Sequence, residues 1–151
     1  MDRDKQALQT LLDRQEIEAL NTVFARTLDG GDVEEFLGIF TADVDYSSGF
    51  RKLVGLEPLR EFFQNRAASG RVSRHLLCGQ DIRFVDADRA QASSYWMVFA
   101  GNGALPVNHC TPFQVADVED KLIRTAEGWK IAKRVISSVF RNADFVPGQA
   151  K

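Results

Sequence analysis

The apolar positions of this chain change period once. In the first part Ile17, Leu20, Phe24 and Leu28 recur at helical spacing, with Asp13, Arg14, Glu18 and Arg26 off that stripe, which predicts a helix over roughly 10–28. Asp29-Gly30-Gly31 closes it, because glycine accepts the left-handed backbone of a helix end. Asp32-Val33-Glu34-Glu35 has the form of a capping box. A second helix is expected there, with Val33, Phe36, Leu37 and Phe40 as its apolar face, before Val44-Asp45-Tyr46 takes on strand character. Gly49 to Gly55 reads as a turn and short strand. Pro58 suits the first turn of a third helix, whose Leu59, Phe62 and Phe63 face inward until Ser69-Gly70 ends it.

From Val72 onward long runs rich in Val, Ile, Phe, Tyr and Trp are separated by Asp86-Ala87-Asp88, Gly101-Asn102-Gly103 and Ala126-Glu127-Gly128. They predict four antiparallel strands over roughly 72–85, 89–100, 111–125 and 128–140, with no helical crossovers between them. Helices first and a meander of strands afterwards is the α+β pattern, in which helices cover one face of a sheet. A single domain is expected over 1–151, with its core over about 11–140 and a loose tail after Phe145.

Composition narrows the function classes. The chain's 19 basic and 21 acidic residues are interspersed, so it lacks the basic stripe that a phosphate backbone needs, and nucleic acid is not an expected partner. No apolar run approaches the roughly 20 residues of a membrane span, and the charged start Met1-Asp2-Arg3-Asp4-Lys5 is unlike a secretory signal. A cytoplasmic protein without a membrane partner is expected. Cys78 and Cys110 read as reduced, buried thiols. His75 and His109 have no carboxylate cluster beside them, so no metal is expected. Eleven Phe against two Tyr supply large apolar volume, either to fill a core or to wrap a ligand.

Several local signatures, in this order, resemble one family: Leu28-Asp29-Gly30-Gly31-Asp32, Arg74-His75, Ala92-Ser93-Ser94-Tyr95, Val118-Glu119-Asp120-Lys121-Leu122 and Gly128-Trp129-Lys130-Ile131. They are similar to SnoaL-like proteins of the nuclear transport factor 2-like superfamily, from about Leu11 to Phe140. The resemblance implies a cone-shaped fold, in which three N-terminal helices wrap a strongly curved, mostly antiparallel sheet around an apolar pocket. Its nearest catalytic pattern is that of scytalone dehydratase, hexachlorocyclohexane dehydrochlorinase and bile-acid dehydratase, where an Asp after the first helix and a His opening a strand form a dyad. Asp29 and His75 stand at those positions and Tyr46 at that of a substrate-binding tyrosine. Leu28 replaces a tyrosine, Asn102 falls near a second histidine, and Ala116 and Val118 replace polar side chains, which argues against scytalone itself.

These residues suit proton transfer without a cofactor. His75 would be the general base and Asp29 would fix its tautomer, while Tyr46 would donate to an oxygen on which charge develops. Each also has a structural alternative: Asp29 as a helix terminator, His75 as a satisfied strand histidine, Tyr46 as a packed aromatic. Strand alternation groups Asp120 with Ala116, Val118 and Leu122 on one face. An acid there needs a partner, and either His75 or Arg134 on the next strand would serve. The expected activity is that of a lyase or isomerase on a small apolar cyclic compound, with Asp120, Asn102 and Arg134 as further substrate contacts. The rival is a non-catalytic ligand-binding or assembly subunit, resembling the small subunits of ring-hydroxylating dioxygenases. In either case a homodimer or homotrimer is expected, because such a sheet face is commonly covered by a copy of itself.

Overall fold

In a computed structural model that describes residues 2–145, the helical stripe and the strand runs meet as two layers. Helix α1 (Asp2–Leu28) and helix α2 (Val33–Leu37) precede strands β1 (Phe40–Ser48) and β2 (Arg51–Val54). Helix α3 (Leu56–Ala68) follows, and then the long strands β3 (Arg71–Phe84), β4 (Arg89–Asn102), β5 (Gln114–Thr125) and β6 (Gly128–Arg141). The sheet order is β2-β1-β6-β5-β4-β3. The meander β3 to β6 is antiparallel throughout, whereas β1 joins β6 in parallel. The sheet is curved and unclosed. Register shifts at Leu77/Gly79 in β3, at Val115/Ala116 and Lys121/Leu122 in the β5–β6 ladder, and between Phe40 and Asp45 in β1 supply bends, since an extra residue on one strand increases its local twist.

The core lies between the helices and one sheet face. Ile17 and Phe24 of α1, Phe36 of α2, and Leu59 and Phe63 of α3 are buried against Tyr46, Trp96, Val118, Leu122 and Ile131. Strand β4 buries every second residue from Ala90 to Ala100, the period-2 signature of a sheet with one covered face. The opposite face carries a row of apolar side chains, Leu76, Met97, Val115 and Phe140, placed opposite one another across four strands. Leu76 and Phe140 are exposed. No described helix is long and apolar enough to cross a membrane.

Three expectations are corrected. Helix α1 begins at Asp2 rather than near residue 10. Its first turns are exposed, so no buried stripe marked them, and Asp2 and Asp4 favour a helix start through the dipole. Helix α2 has five residues, and Phe40 opens β1 instead of continuing the helix face. Asp32 caps α2 by accepting hydrogen bonds from the Glu34 and Glu35 amides, at 2.8 and 3.1 Å. Cys78 and Cys110 are exposed rather than buried. Cys78 falls in the β3 register shift and Cys110 in the loop between β4 and β5, where neither meets a packed layer. The tail expected after Phe145 lies outside the described residues.

Candidate active site

The end of α1 and the first third of β3 create the site. Asp29 follows the last helical residue, and its amide still bonds the Ala25 carbonyl at 3.0 Å. Gly30 turns the chain at φ 147°, and a side chain at Gly31 would meet the Thr27 backbone at 2.7 Å. The chain therefore leaves the helix through a turn that only glycines fit, and the carboxylate is aimed at β3.

There Asp29 makes three hydrogen bonds to two residues. Its Oδ1 lies 2.6 Å from His75 Nδ1 and accepts from the Ser73 hydroxyl at 2.8 Å, while its Oδ2 accepts from the His75 amide at 2.9 Å. The two side chains are 12% and 11% exposed. Burial would raise the Asp29 pKa, but the His75 imidazole, the His75 amide and Ser73 outweigh it, and the carboxyl sits below its ordinary value. Burial is the dominant influence on His75, and it lowers the imidazole below 6.5 despite the Asp29 bond. At neutral pH the pair is thus a carboxylate and a neutral imidazole. The carboxylate accepts the Nδ1 proton, which leaves Nε2 as the basic nitrogen.

His75 lines a cleft of about 690 Å³, together with Phe24, Leu28, Tyr46, Trp96 and Val98. Asp29 does not line it. It borders a separate depression of about 530 Å³, which His75 and Trp96 share. The carboxylate therefore stands behind the imidazole as seen from the cleft. Phe24 meets the His75 ring edge-on at 6.3 Å and the Trp96 ring at 5.8 Å, fixing the imidazole from its apolar side. Trp96 donates its indole N–H to Ser94 at 2.9 Å. Tyr46 is 2% exposed, and burial pushes its pKa upward, so its hydroxyl stays protonated and able to donate.

The other residues singled out from the sequence are placed elsewhere. Arg134 donates to both Asp120 oxygens, at 2.8 and 2.6 Å, and to Asn21 at 2.5 Å. It stacks on Phe24 at 4.4 Å and is fully buried. Asp120 thus pairs with Arg134 and not with His75, and neither Asp120 nor Arg134 borders the cleft. Asn102 ends β4 in register with Arg71, is exposed, and also lies off the cleft wall. Residues that the sequence did not single out take their place there: Arg51, Arg66, Arg71 and Arg141. They come from β2, α3, β3 and β6, so no local spacing announces them.

A family model described as the SnoaL-like domain matches residues 9–135. The chain belongs to the SnoaL-like family. Among solved structures, a protein of unknown function with a cystatin-like fold from Nostoc punctiforme is 26% identical, with a TM-score of 0.71 over 84% of this chain and 91% of that one. A scytalone dehydratase-like protein from Novosphingobium aromaticivorans is 16% identical, with a TM-score of 0.80 over 93% of each chain. LinA is 18% identical, with a TM-score of 0.77 over 92% of this chain and 95% of its own. The likeness of this SnoaL-like chain to the last two is one of fold. A search of curated proteins found no match.

Proposed function

We propose that this SnoaL-like protein is a cofactor-independent lyase or isomerase that acts on a small cyclic compound by proton transfer. His75 is its general base and Asp29 the residue that orients it. The observation that carries this reading is the 2.6 Å bond between Asp29 and His75 Nδ1 at the wall of a cleft large enough for a small molecule. Nε2 takes a proton from an acidic C–H of the substrate. The imidazolium that forms is stabilised by the carboxylate behind it. If a leaving group sits on the adjacent carbon it departs with its electron pair and the reaction is an elimination. If the carbanion is conjugated, the proton returns at another carbon and the reaction is an isomerisation. Tyr46, in the same cleft, is assigned to the oxygen that gathers negative charge. The name of the scytalone dehydratase-like neighbour fits this class of chemistry.

The test is to incubate the protein in D₂O with a panel of cyclic hydroxyketones, enones and halides, and to follow elimination, isomerisation and C–H exchange by NMR. Turnover or exchange that disappears in His75→Ala supports the reading. Exchange that persists in the variant, or a panel untouched by the wild-type protein, sinks it.

The outer face supports a second reading that does not compete with the first. Leu76, Met97, Val115 and Phe140 form one apolar row, and we assign it to self-association. Sedimentation of the wild type and of a Leu76→Lys, Phe140→Lys variant tests this. A monomeric wild type overturns it.

A further inference from the structure

Among the described residues the cleft wall carries four guanidinium groups, Arg51, Arg66, Arg71 and Arg141, against one carboxylate, Glu61. Outside the cleft five described arginines pair with no acid among the described residues, whereas Arg60, Arg89, Arg124 and Arg134 all sit in ion pairs. Among the described residues none of the four at the cleft does. They rest on aromatic faces or neutral groups. Arg51 lies over Phe62 at 4.6 Å, and Arg71 and Arg141 share the Phe113 ring, at 5.2 and 5.6 Å from its centroid. Arg66 donates to Ser73 at 2.9 Å and to the Leu28 carbonyl at 3.5 Å. The Nε of Arg71 is buried and has no hydrogen-bond partner among the described residues. Burial, the nearby charge of Arg66, and more weakly those of Arg141 and Arg51 push Arg71 down to about 10, although Asp29 opposes them.

Like charges gathered in a partly desolvated wall repel one another, and an anion placed among them relieves that repulsion. A guanidinium stacked on a ring also keeps its in-plane N–H groups free to grip two oxygens at once. Resting on the reading of this cleft as the substrate site, we propose that its ligand is an organic anion. Its flat apolar body lies along Phe24, Trp96 and Val98 beside His75, and its oxyanion group is held by Arg71 and Arg141. Arg66 ties the two halves together, because it bonds Ser73 and Ser73 bonds the Asp29 carboxylate that orients the base. Carboxylate and phosphate groups share this recognition chemistry.

Isothermal titration with three probes of one shape separates the cases: 2-naphthoate, 2-naphthyl phosphate and the neutral 2-naphthamide. The expected result is that at least one anion binds tenfold or more tighter than the amide, and the tighter anion identifies the group. Its affinity should fall several-fold between 50 mM and 500 mM salt, and the advantage over the amide should vanish in Arg71→Gln, Arg141→Gln. If that variant does not fold, the salt series on the wild type still decides. An amide that binds as tightly as both anions, an anion preference insensitive to salt, or no binding of either anion overturns the proposal. Because heat is read rather than turnover, a protein that binds the anion but transforms nothing keeps this inference and loses the lyase reading. One that turns over neutral compounds in preference to anions does the reverse.

Discussion

Two carboxylates in this molecule hold nitrogen groups at nearly the same distance, and they do opposite things. Asp120 meets Arg134 at 2.6 Å, with Asn21 as a third partner, and Asp29 meets His75 at 2.6 Å, with Ser73 as a third partner. Arg134 is fully buried and away from the cleft, and a guanidinium offers only N–H donors, with no lone pair to take up a proton. That pair can only hold the sheet to α1. The imidazole of His75 lies at the cleft wall, with an affinity for protons below its ordinary value. Proton-transfer competence therefore comes from the chemistry of the nitrogen group and its access to a ligand, not from how short its bond to the carboxylate is.

Substitutions in either pair separate their roles. The largest effect is expected from His75→Ala, which should cost up to about 10⁴-fold in kcat while the melting temperature moves little, read by turnover and calorimetry together. Asp120→Ala is the mirror case. It strands a buried guanidinium and should destabilise the fold by about 3–5 kcal/mol, read by urea unfolding, and whatever protein remains folded should keep its catalytic pH profile. A smaller loss, on the order of 10²-fold in kcat, is expected from Tyr46→Phe, with KM little changed if the hydroxyl acts on developing charge. The smallest effects are in pH.

Those follow from the signs of the shifts. His75 must be neutral to act as a base, so kcat should rise with pH through a midpoint below 6.5. In Asp29→Asn that midpoint should move lower still, since the negative charge that favours the imidazolium is gone. For stability, a histidine with a lowered pKa in the folded state binds fewer protons than it does unfolded. Its contribution is complete above 6.5 and is lost as pH falls below that value. The lowered Asp29 acts in the same direction in a second window, below its ordinary 3.8. A thermal melt series from pH 8 to 3 in the wild type, His75→Gln and Asp29→Asn should therefore lose the upper step in the first variant and the lower step in the second.

Much of the fold was legible along the chain. The strand runs from Val72 to Phe140 lie within a few residues of β3 to β6, because alternation and turn residues act locally. The same alternation put Asp120 on the covered face beside Leu122, where it is found. Asp29 and His75 were legible as a pair only through the family's order of motifs, since 46 residues separate them. The parallel docking of β1 on β6, the short α2 and the exposed cysteines were not legible, because each depends on which layer covers a segment rather than on its own pattern.

By itself the sequence determined most of the element types, the face that β5 buries and the residue types able to move a proton, since backbone geometry and side-chain chemistry are local properties. Only the tertiary structure decided which charges are neutralised. It gave Asp120 to Arg134 and Asp29 to His75, and it brought Arg51, Arg66, Arg71 and Arg141 from four separate elements to one wall, where Glu61 is the single acid among the described residues. Charge compensation is a matter of distance in space, and the curvature of the sheet sets those distances.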